Sequence, residues 1–258
     1  MINIHTTIKI DLFIKNRDML FLYVVYNKNN KMCTVIKTYN DNGQLKEEYF
    51  ENDGKKEGEY KLYHANGQLF ITCNYINGKL EGQYKQCFFN GQPTIIHNYV
   101  NGKIEGQYKL YCENGRLREI RNYVNGKMDG EFKEYYNNGQ LYAICNHVNG
   151  KTEGEYKLYY ENGKLWQIYN YVKGKIEGEY KLYYQNGQLR IIYSSISGKI
   201  EGEYKEYNEN GRLRAICNYI NGKIEGEYKL YDATGKLVEI RNYVNGVCAH
   251  RFRAKIKN

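Results

Sequence analysis

Histidine and cysteine are the side chains of this sequence best suited to bind a metal or attack a substrate, and their spacing predicts neither. The five histidines hold no shared place in any recurring pattern, and the seven cysteines form no C-x-x-C pair. The sequence also lacks the H-E-x-x-H motif of zinc hydrolases and the G-x-S-x-G turn of serine hydrolases. We therefore predict no catalytic residue, no metal site and no cofactor.

One segment mimics part of a phosphate-binding loop. Gly150, Lys151 and Thr152 match the end of the motif G-x-x-x-x-G-K-[ST], but the chain has Cys145 where the motif begins with glycine. Glutamates recur along the chain, with no sign of the two unlike carboxylate environments that acid–base catalysis uses. These observations predict that the protein is not an enzyme.

The charge distribution limits the expected partners. The chain has 38 Lys and Arg against 29 Asp and Glu, a net charge of +9, and the excess lies mainly in residues 1–41 and 246–258. A body that binds nucleic acid would carry a larger excess, so nucleic acid is not an expected partner.

The cysteines and the apolar segments predict a location. An odd number of cysteines without a paired motif is typical of reduced thiols in the cytoplasm. The apolar run at residues 19–26 is much shorter than the roughly 20 residues that cross a membrane. We expect a cytoplasmic protein, in the host cytoplasm if it is viral, with no signal peptide or transmembrane segment.

Every glycine belongs to one of three series with a constant spacing of 24 residues. The series run from Gly43 to Gly235, from Gly54 to Gly246 and from Gly58 to Gly226. Each repeat contains two Asn-Gly-type turns, separated by short runs rich in Tyr, Ile, Leu and Val. Asn-Gly favours type I′ turns and such runs favour strands, so each repeat is predicted to be a β-hairpin that stacks on its neighbours.

This unit resembles the MORN repeat, in the variant with 24-residue G-x-L…N-G-K-x-E-G-x-Y units found in bacterial and giant-virus proteins. One repeat matches it at Gly211, Leu213, Tyr219, Asn221, Gly222, Glu225, Gly226 and Tyr228. The resemblance implies an all-β fold, an elongated array of antiparallel β-hairpins in an open twisted sheet. It also implies scaffolding, attachment near membranes or immunity-like pairing with a toxin, and it implies no catalysis by the repeats. Tyrosine replaces the tryptophan that better-known units often have.

Three segments are expected along the chain. Residues 1–41 are predicted to form N-terminal strands and a degenerate capping repeat, and residues 42–246 eight to nine repeats. Residues 247–258 are predicted to form a basic C-terminal strand or tail.

Some positions are constant in the repeats. Two series of lysines with the 24-residue spacing begin at Lys55 and at Lys61. A series of acidic residues, which begins at Glu57, runs beside them. We interpret these charges as mutual cross-strand compensation on a solvated face, the alternative being a rail that follows a polyanion. The tyrosines in the series of Tyr60 are interpreted as packing ladders.

The residue type at the position after the constant leucine varies from repeat to repeat, and the types found there predict a contact surface. Arginine and aromatic residues are enriched where proteins bind one another. The predicted interaction stripe consists of Arg118, Tyr142, Trp166, Arg190 and Arg214. Ordinary surface drift is the alternative interpretation.

The C-terminal segment carries alternating basic residues. They are Arg251, Arg253, Lys255 and Lys257. Their charges either prevent edge-to-edge aggregation of a strand or form a weak contact with an anionic lipid membrane.

We therefore predict a non-enzymatic repeat scaffold that mediates protein–protein interaction. The alternatives are a membrane-proximal tether that binds anionic lipid through its basic ends and an immunity or antitoxin-like binding protein. The sequence names no protein partner. It also leaves open whether sheet edges pair into a homodimer and which face of each strand is inward.

Overall fold

The computed structural model describes residues 6–15, 18–26 and 32–253. Its elements are β-strands, and the pairings between them are antiparallel. The prediction of an all-β fold of antiparallel hairpins is confirmed. In the described part of the chain, no helix is long and apolar enough to cross a membrane. The chain divides into an N-terminal unit, residues 1–128, and a C-terminal unit, residues 129–258.

The strands follow the repeat. Those of the N-terminal unit are β1 (Thr6–Lys15), β2 (Asp18–Tyr26), β3 (Met32–Tyr39), β4 (Leu45–Asn52), β5 (Lys55–Tyr63), β6 (Leu69–Ile76), β7 (Lys79–Leu80), β8 (Gly82–Cys87), β9 (Pro93–Val100), β10 (Lys103–Tyr111), β11 (Leu117–Val124) and β12 (Lys127–Met128). Those of the C-terminal unit are β13 (Gly130–Tyr135), β14 (Leu141–Val148), β15 (Lys151–Tyr159), β16 (Leu165–Val172), β17 (Lys175–Tyr183), β18 (Leu189–Ile196), β19 (Lys199–Tyr207), β20 (Leu213–Ile220), β21 (Lys223–Tyr231), β22 (Leu237–Val244) and β23 (Val247–Arg253). Within each unit, strands pair with their neighbours in sequence, and β6 pairs with both β7 and β8.

Each repeat has two turns, and we call the one that joins strands such as β20 and β21 the first turn. It has two residues in the left-handed conformation. At Asn221 and Gly222 the φ angles are 52° and 79°. Positive φ at both central residues is the requirement of a type I′ turn, so the predicted turn type is confirmed here. The same backbone holds at Lys173 and Ser197, where asparagine is absent.

The second turn is of a different type, and the prediction of type I′ is wrong there. Gly211 alone is left-handed, its N–H donates to the carbonyl of Asn208 at 2.9 Å, and the N–H of Asn208 donates to the carbonyl of Arg212. This is a type I turn followed by a left-handed glycine. In the equivalent turn one repeat earlier, the side chain of Asn186 accepts from the N–H of Gln188 and donates to the carbonyl of Glu209 in the next repeat. The asparagine side chain therefore caps the second turn and links it to the next repeat.

A carboxylate holds the first turn in place in eight repeats, from the turn at Asn77 to the turn at Asn245. Oε2 of Glu201 accepts the N–H of Asn221, twenty residues further on, at 2.7 Å. We call the residues in this series the clamp carboxylates. They are Glu57, Glu81, Glu105, Asp129, Glu153, Glu177, Glu201 and Glu225, with distances of 2.7–2.9 Å. A hydrogen bond to a charged group contributes about 1.5–3 kcal/mol, which offsets the cost of a left-handed residue other than glycine.

Within each unit the sheet has two chemically different faces. Residues opposite one another across a ladder share a face, so the pairings identify the residues of each face. In the C-terminal unit, Tyr204 faces Cys217 and Glu206 faces Ala215, on what we call the tyrosine face. Ala215 is 0% exposed and Cys217 4%, so this is the more buried face. Lys205 faces Ile216 on the opposite side, the lysine face.

The lysine face is internally neutralised. Lys205 pairs with Glu203 on the same strand, rather than with a clamp carboxylate. Nζ–carboxylate distances of 2.5–2.8 Å occur in Lys61–Glu59, Lys133–Glu131, Lys181–Glu179, Lys205–Glu203 and Lys229–Glu227, and Lys157 pairs with Glu155 in the same way. The lysines in the series of Lys61 are therefore compensated, but the predicted cross-strand pairing with the series of Glu57 is wrong: their partners lie two residues away on the same strand, and the clamp carboxylates bind turn amides.

Stacked tyrosines cross the middle of the C-terminal unit on the tyrosine face. Successive ring centroids lie 4.6–6.1 Å apart and the planes within 12–20° of each other. The stack consists of Tyr156, Tyr169, Tyr180, Tyr193 and Tyr204. Burial raises the pKa of Tyr156 and of Tyr193 to about 12. The interpretation of the constant tyrosines as packing ladders is confirmed in this unit.

Replacing Glu201 by Ala should open one turn without unfolding the sheet. The amide of Asn221 loses its acceptor, so we expect amide hydrogen exchange at residues 220–222 to accelerate about tenfold or more, as a loss of about 1.5 kcal/mol implies. Glu203→Ala is the matched control, since it removes a surface ion pair of small net worth. Equal exchange rates in the two variants would contradict the assigned role of the clamp.

The tyrosine stack should make stability depend on alkaline pH. The raised pKa of Tyr193 means that folding favours its neutral phenol, so its contribution is complete below about pH 10 and is lost as pH rises through about 12. Tyr193→Phe keeps the ring and removes the ionisable phenol. We expect its urea midpoint to fall less between pH 9 and pH 11.5 than that of the unsubstituted protein. A fall of equal size would show that Tyr193 does not carry this dependence.

Candidate functional site

Each residue of the interaction stripe is the extra residue of a β-bulge. In the hairpin of β19 and β20, Glu206 faces Ala215 and Tyr207 faces Leu213, so Arg214 has no partner across the ladder. The same shift occurs at Arg118, Tyr142, Trp166 and Arg190. A bulged residue is released from ladder packing, which explains why this position tolerates different side chains.

The bulge also directs the stripe to the tyrosine face. Simple alternation along β20 would place Arg214 with Ile216 on the lysine face. Instead, Nη1 of Arg214 lies 2.8 Å from Oε1 of Glu206, which is opposite the buried Ala215. Arg190 likewise lies near the stack: burial raises the pKa of Tyr180, and the charge of Arg190 opposes this rise.

Three stripe residues of the C-terminal unit pack against tyrosines six residues earlier. The ring centroids of Tyr136 and Tyr142 are 5.0 Å apart, and those of Tyr160 and Trp166 are 5.6 Å apart. The guanidinium carbon of Arg190 lies 5.4 Å from the ring centroid of Tyr184. Each contact therefore forms a half-buried aromatic pair or a cation–π pair on the tyrosine face.

These three supporting tyrosines were not predicted from the sequence. The hydroxyls of Tyr136, Tyr160 and Tyr184 each donate to a backbone carbonyl of the next repeat, at 2.8, 2.6 and 2.9 Å. These bonds fix the rings against which the stripe packs. A signal was present, because this position also drifts along the repeat and is tyrosine only in three successive copies.

Tyr142, Trp166, Arg190 and Arg214 thus lie in one unit and at one structural position. Arg118 belongs to the N-terminal unit, where it is exposed and occupies an equivalent bulge. The two chemistries within the C-terminal unit are aromatic at Tyr142 and Trp166 and cationic at Arg190 and Arg214.

The basic C-terminal residues are only partly described. Arg251 bonds to both carboxylate oxygens of Glu239, which Arg241 also contacts, and these bonds lower the pKa of Glu239 to about 2. The backbone of Arg253 lies opposite Glu239 in the β22–β23 ladder. Lys255 and Lys257 lie outside the described residues.

The lysine face has shallow depressions where the pairing of β14 with β15 and of β20 with β21 shifts register. Cavities of about 440 and 410 Å³ lie next to Ile144 and Ile216. Their walls include the clamp carboxylates Glu153 and Glu225, which are bound to turn amides, and the ion pairs of Lys157 and Lys229. The polar groups of these walls therefore serve the repeat itself.

The cysteines are thiols, and five of the seven are buried. Burial raises the pKa of Cys145 and of Cys217 to about 11, which keeps both thiols neutral and poorly nucleophilic. Within the described ranges, no group of three or more His, Cys, Asp or Glu side chains could hold a metal ion.

Comparison with solved structures finds a porin-like protein from Bacteroides uniformis, at 8% sequence identity and a TM-score of 0.21. The similarity covers 94% of this chain and 91% of that chain. At that score it supports no argument about fold or function. No curated protein matches the sequence.

Comparison with protein families gives a match to the MORN repeat variant. It recurs seven times, at residues 32–52, 56–77, 128–149, 152–173, 176–195, 200–221 and 224–245. These segments make up more than half of the chain and follow its 24-residue period. The chain belongs to the MORN repeat variant family.

Proposed function

We propose that this protein is a non-enzymatic scaffold that binds another protein through the interaction stripe of its C-terminal unit. The observation that carries the proposal is the use of the bulge. At Tyr142, Trp166 and Arg190 the extra residue places an aromatic or cationic side chain on the tyrosine face, over a tyrosine fixed by the next repeat. Rigid aromatic and arginine anchors are the usual centres of protein interfaces.

The rest of the sheet supports a scaffold. The constant residues serve the backbone: clamp carboxylates bind turn amides, lysines bind neighbouring glutamates and tyrosines stack. The variable bulge is therefore the place where recognition can change without cost to the fold. Seven unbridged thiols fit a cytoplasmic location.

A second proposal concerns the C-terminal strand as a contact for anionic lipid. Val247 is 70% exposed and Phe252 60%, next to Arg251. An apolar and basic strand of this kind suits a weak membrane contact, although Glu239 neutralises part of the charge of Arg251. Co-sedimentation with phosphatidylserine vesicles at low salt, absent with neutral vesicles and lost in Phe252→Ser, would support it. Equal sedimentation with both vesicles would oppose it.

Substitution of Trp166 and Arg190 by Ala should abolish partner binding and leave the fold intact. The two side chains lie in a bulge, so their removal breaks no ladder hydrogen bond, and loss of two interface anchors should weaken binding at least a hundredfold. The measurement is affinity capture from cell extract with the unsubstituted protein and with the double variant, followed by quantification of each captured protein.

The matched control lies on the other face. Lys157→Ala and Lys181→Ala remove two partly exposed side chains from the lysine face of β15 and β17, the strands that pair with β16 and β18, and should leave capture unchanged. A partner captured equally by all three proteins would show that the stripe is not the interface.

A further inference from the structure

We propose that Arg190 is the receptor for a carboxylate side chain of the partner protein, with an apolar side chain beside it on Trp166. This inference rests on the proposed protein-binding function and names the chemistry that the stripe recognises. All the residues concerned lie in the C-terminal unit.

Other arginines on the tyrosine face have a carboxylate of their own. Nη1 of Arg214 lies 2.8 Å from Oε1 of Glu206. Arg241 and Arg251 both bond to Glu239, which is 7% exposed. The fold therefore offers two places from which an acidic residue neutralises an arginine on this face.

Near Arg190, apolar residues occupy both of these repeat positions. One repeat before Glu206 stands Leu182, and two repeats before Glu239 stands Ile191. Leu182 and Ile191 face each other across the β17–β18 ladder, as Glu206 and Ala215 do in the next hairpin. Arg190 accordingly makes no ion pair with any residue in the described ranges. Arg214, at the equivalent position, pairs with Glu206.

The surroundings orient the exposed guanidinium. Arg190 lies over the ring of Tyr184, whose hydroxyl is fixed to the carbonyl of Tyr207. Burial raises the pKa of Tyr160, and the charge of Arg190 opposes this rise, so Arg190 lies near this second ring as well. Tyr160 packs on Trp166. A guanidinium among half-buried rings presents its free N–H groups as a planar fork that matches a carboxylate.

The partner group follows from this chemistry. A lone carboxylate would leave the apolar surface of Trp166 and Tyr160 uncovered, whereas an acidic residue next to an aromatic or aliphatic one would cover both. Charge complementarity also selects against a basic segment, because Arg241 and Arg251 further along the same face share one carboxylate and retain a net positive charge.

The test is selection from a displayed library of random dodecapeptides on the full chain. The unsubstituted protein should enrich peptides in which Asp or Glu adjoins an apolar residue. Arg190→Gln should lose this acidic preference. Leu182→Glu should lose it too, because the new carboxylate occupies the position of Glu206 and neutralises Arg190 within the chain.

Glu206→Leu is the reciprocal variant. It frees Arg214 and should retain the acidic preference or strengthen it. Circular dichroism and thermal unfolding of all variants separate loss of binding from loss of fold. The only tryptophan of the chain is Trp166, so its fluorescence reports binding of an enriched tryptophan-free peptide. Replacing the acid of that peptide by its amide should weaken binding about tenfold.

The outcomes separate this inference from the proposed function. Enriched peptides that depend on Trp166 but show no acidic preference would overturn the role of Arg190 and leave the binding stripe in place. Enrichment that is identical in Leu182→Glu and the unsubstituted protein would also overturn it. Absence of any peptide whose binding depends on Trp166 would count against both.

Discussion

The repeat depends on one hydrogen bond, from a backbone amide to a carboxylate twenty residues earlier in the chain. The amide belongs to a residue with positive φ, a conformation that asparagine tolerates and that lysine and serine rarely adopt. At Lys173 and Ser197 the clamp carboxylates Glu153 and Glu177 still bind the amide, at 2.9 and 2.7 Å. The carboxylate thus fixes the turn even where the local sequence does not favour it.

The clamp separates the roles of the two turns and leaves one position free. The first turn links hairpins through Glu201 and its equivalents, and the second turn links them through an asparagine cap such as Asn186. The bulge that follows the second turn then carries a residue outside the ladder. Because neither linking bond involves this residue, its side chain can change without loss of either contact between repeats.

Much of the fold could be predicted from the period alone. The spacing of 24 residues and the Asn-Gly pairs predicted antiparallel hairpins, and the first turns at Asn221 and its equivalents follow type I′ as expected. The second turns do not follow type I′. The side chain of Asn186 makes two hydrogen bonds there, and an Asn-Gly pair in the sequence does not predict them. The stripe was predicted from its drift, but its face was not, because alternation fails where a bulge adds a residue. Tyr160 and Tyr184 were missed since their value depends on contacts with the next repeat.

Arg190 and Arg214 show how one repeated position can have either of two roles, an ion pair within the fold or, under the proposed function, a contact with a partner. The two arginines occupy equivalent bulges, and the residue across the ladder decides between the roles: Glu206 beside Arg214, Leu182 beside Arg190. An exposed ion pair contributes little to stability, so exchanging its acid for leucine costs the sheet little. The same exchange removes the internal carboxylate that would compete for the guanidinium and leaves two apolar side chains, Leu182 and Ile191, in the places where acids lie elsewhere. Within an array of constant backbone, a single substitution on a neighbouring strand is therefore sufficient to leave an arginine without its internal ion pair, which the proposed binding of a partner carboxylate requires.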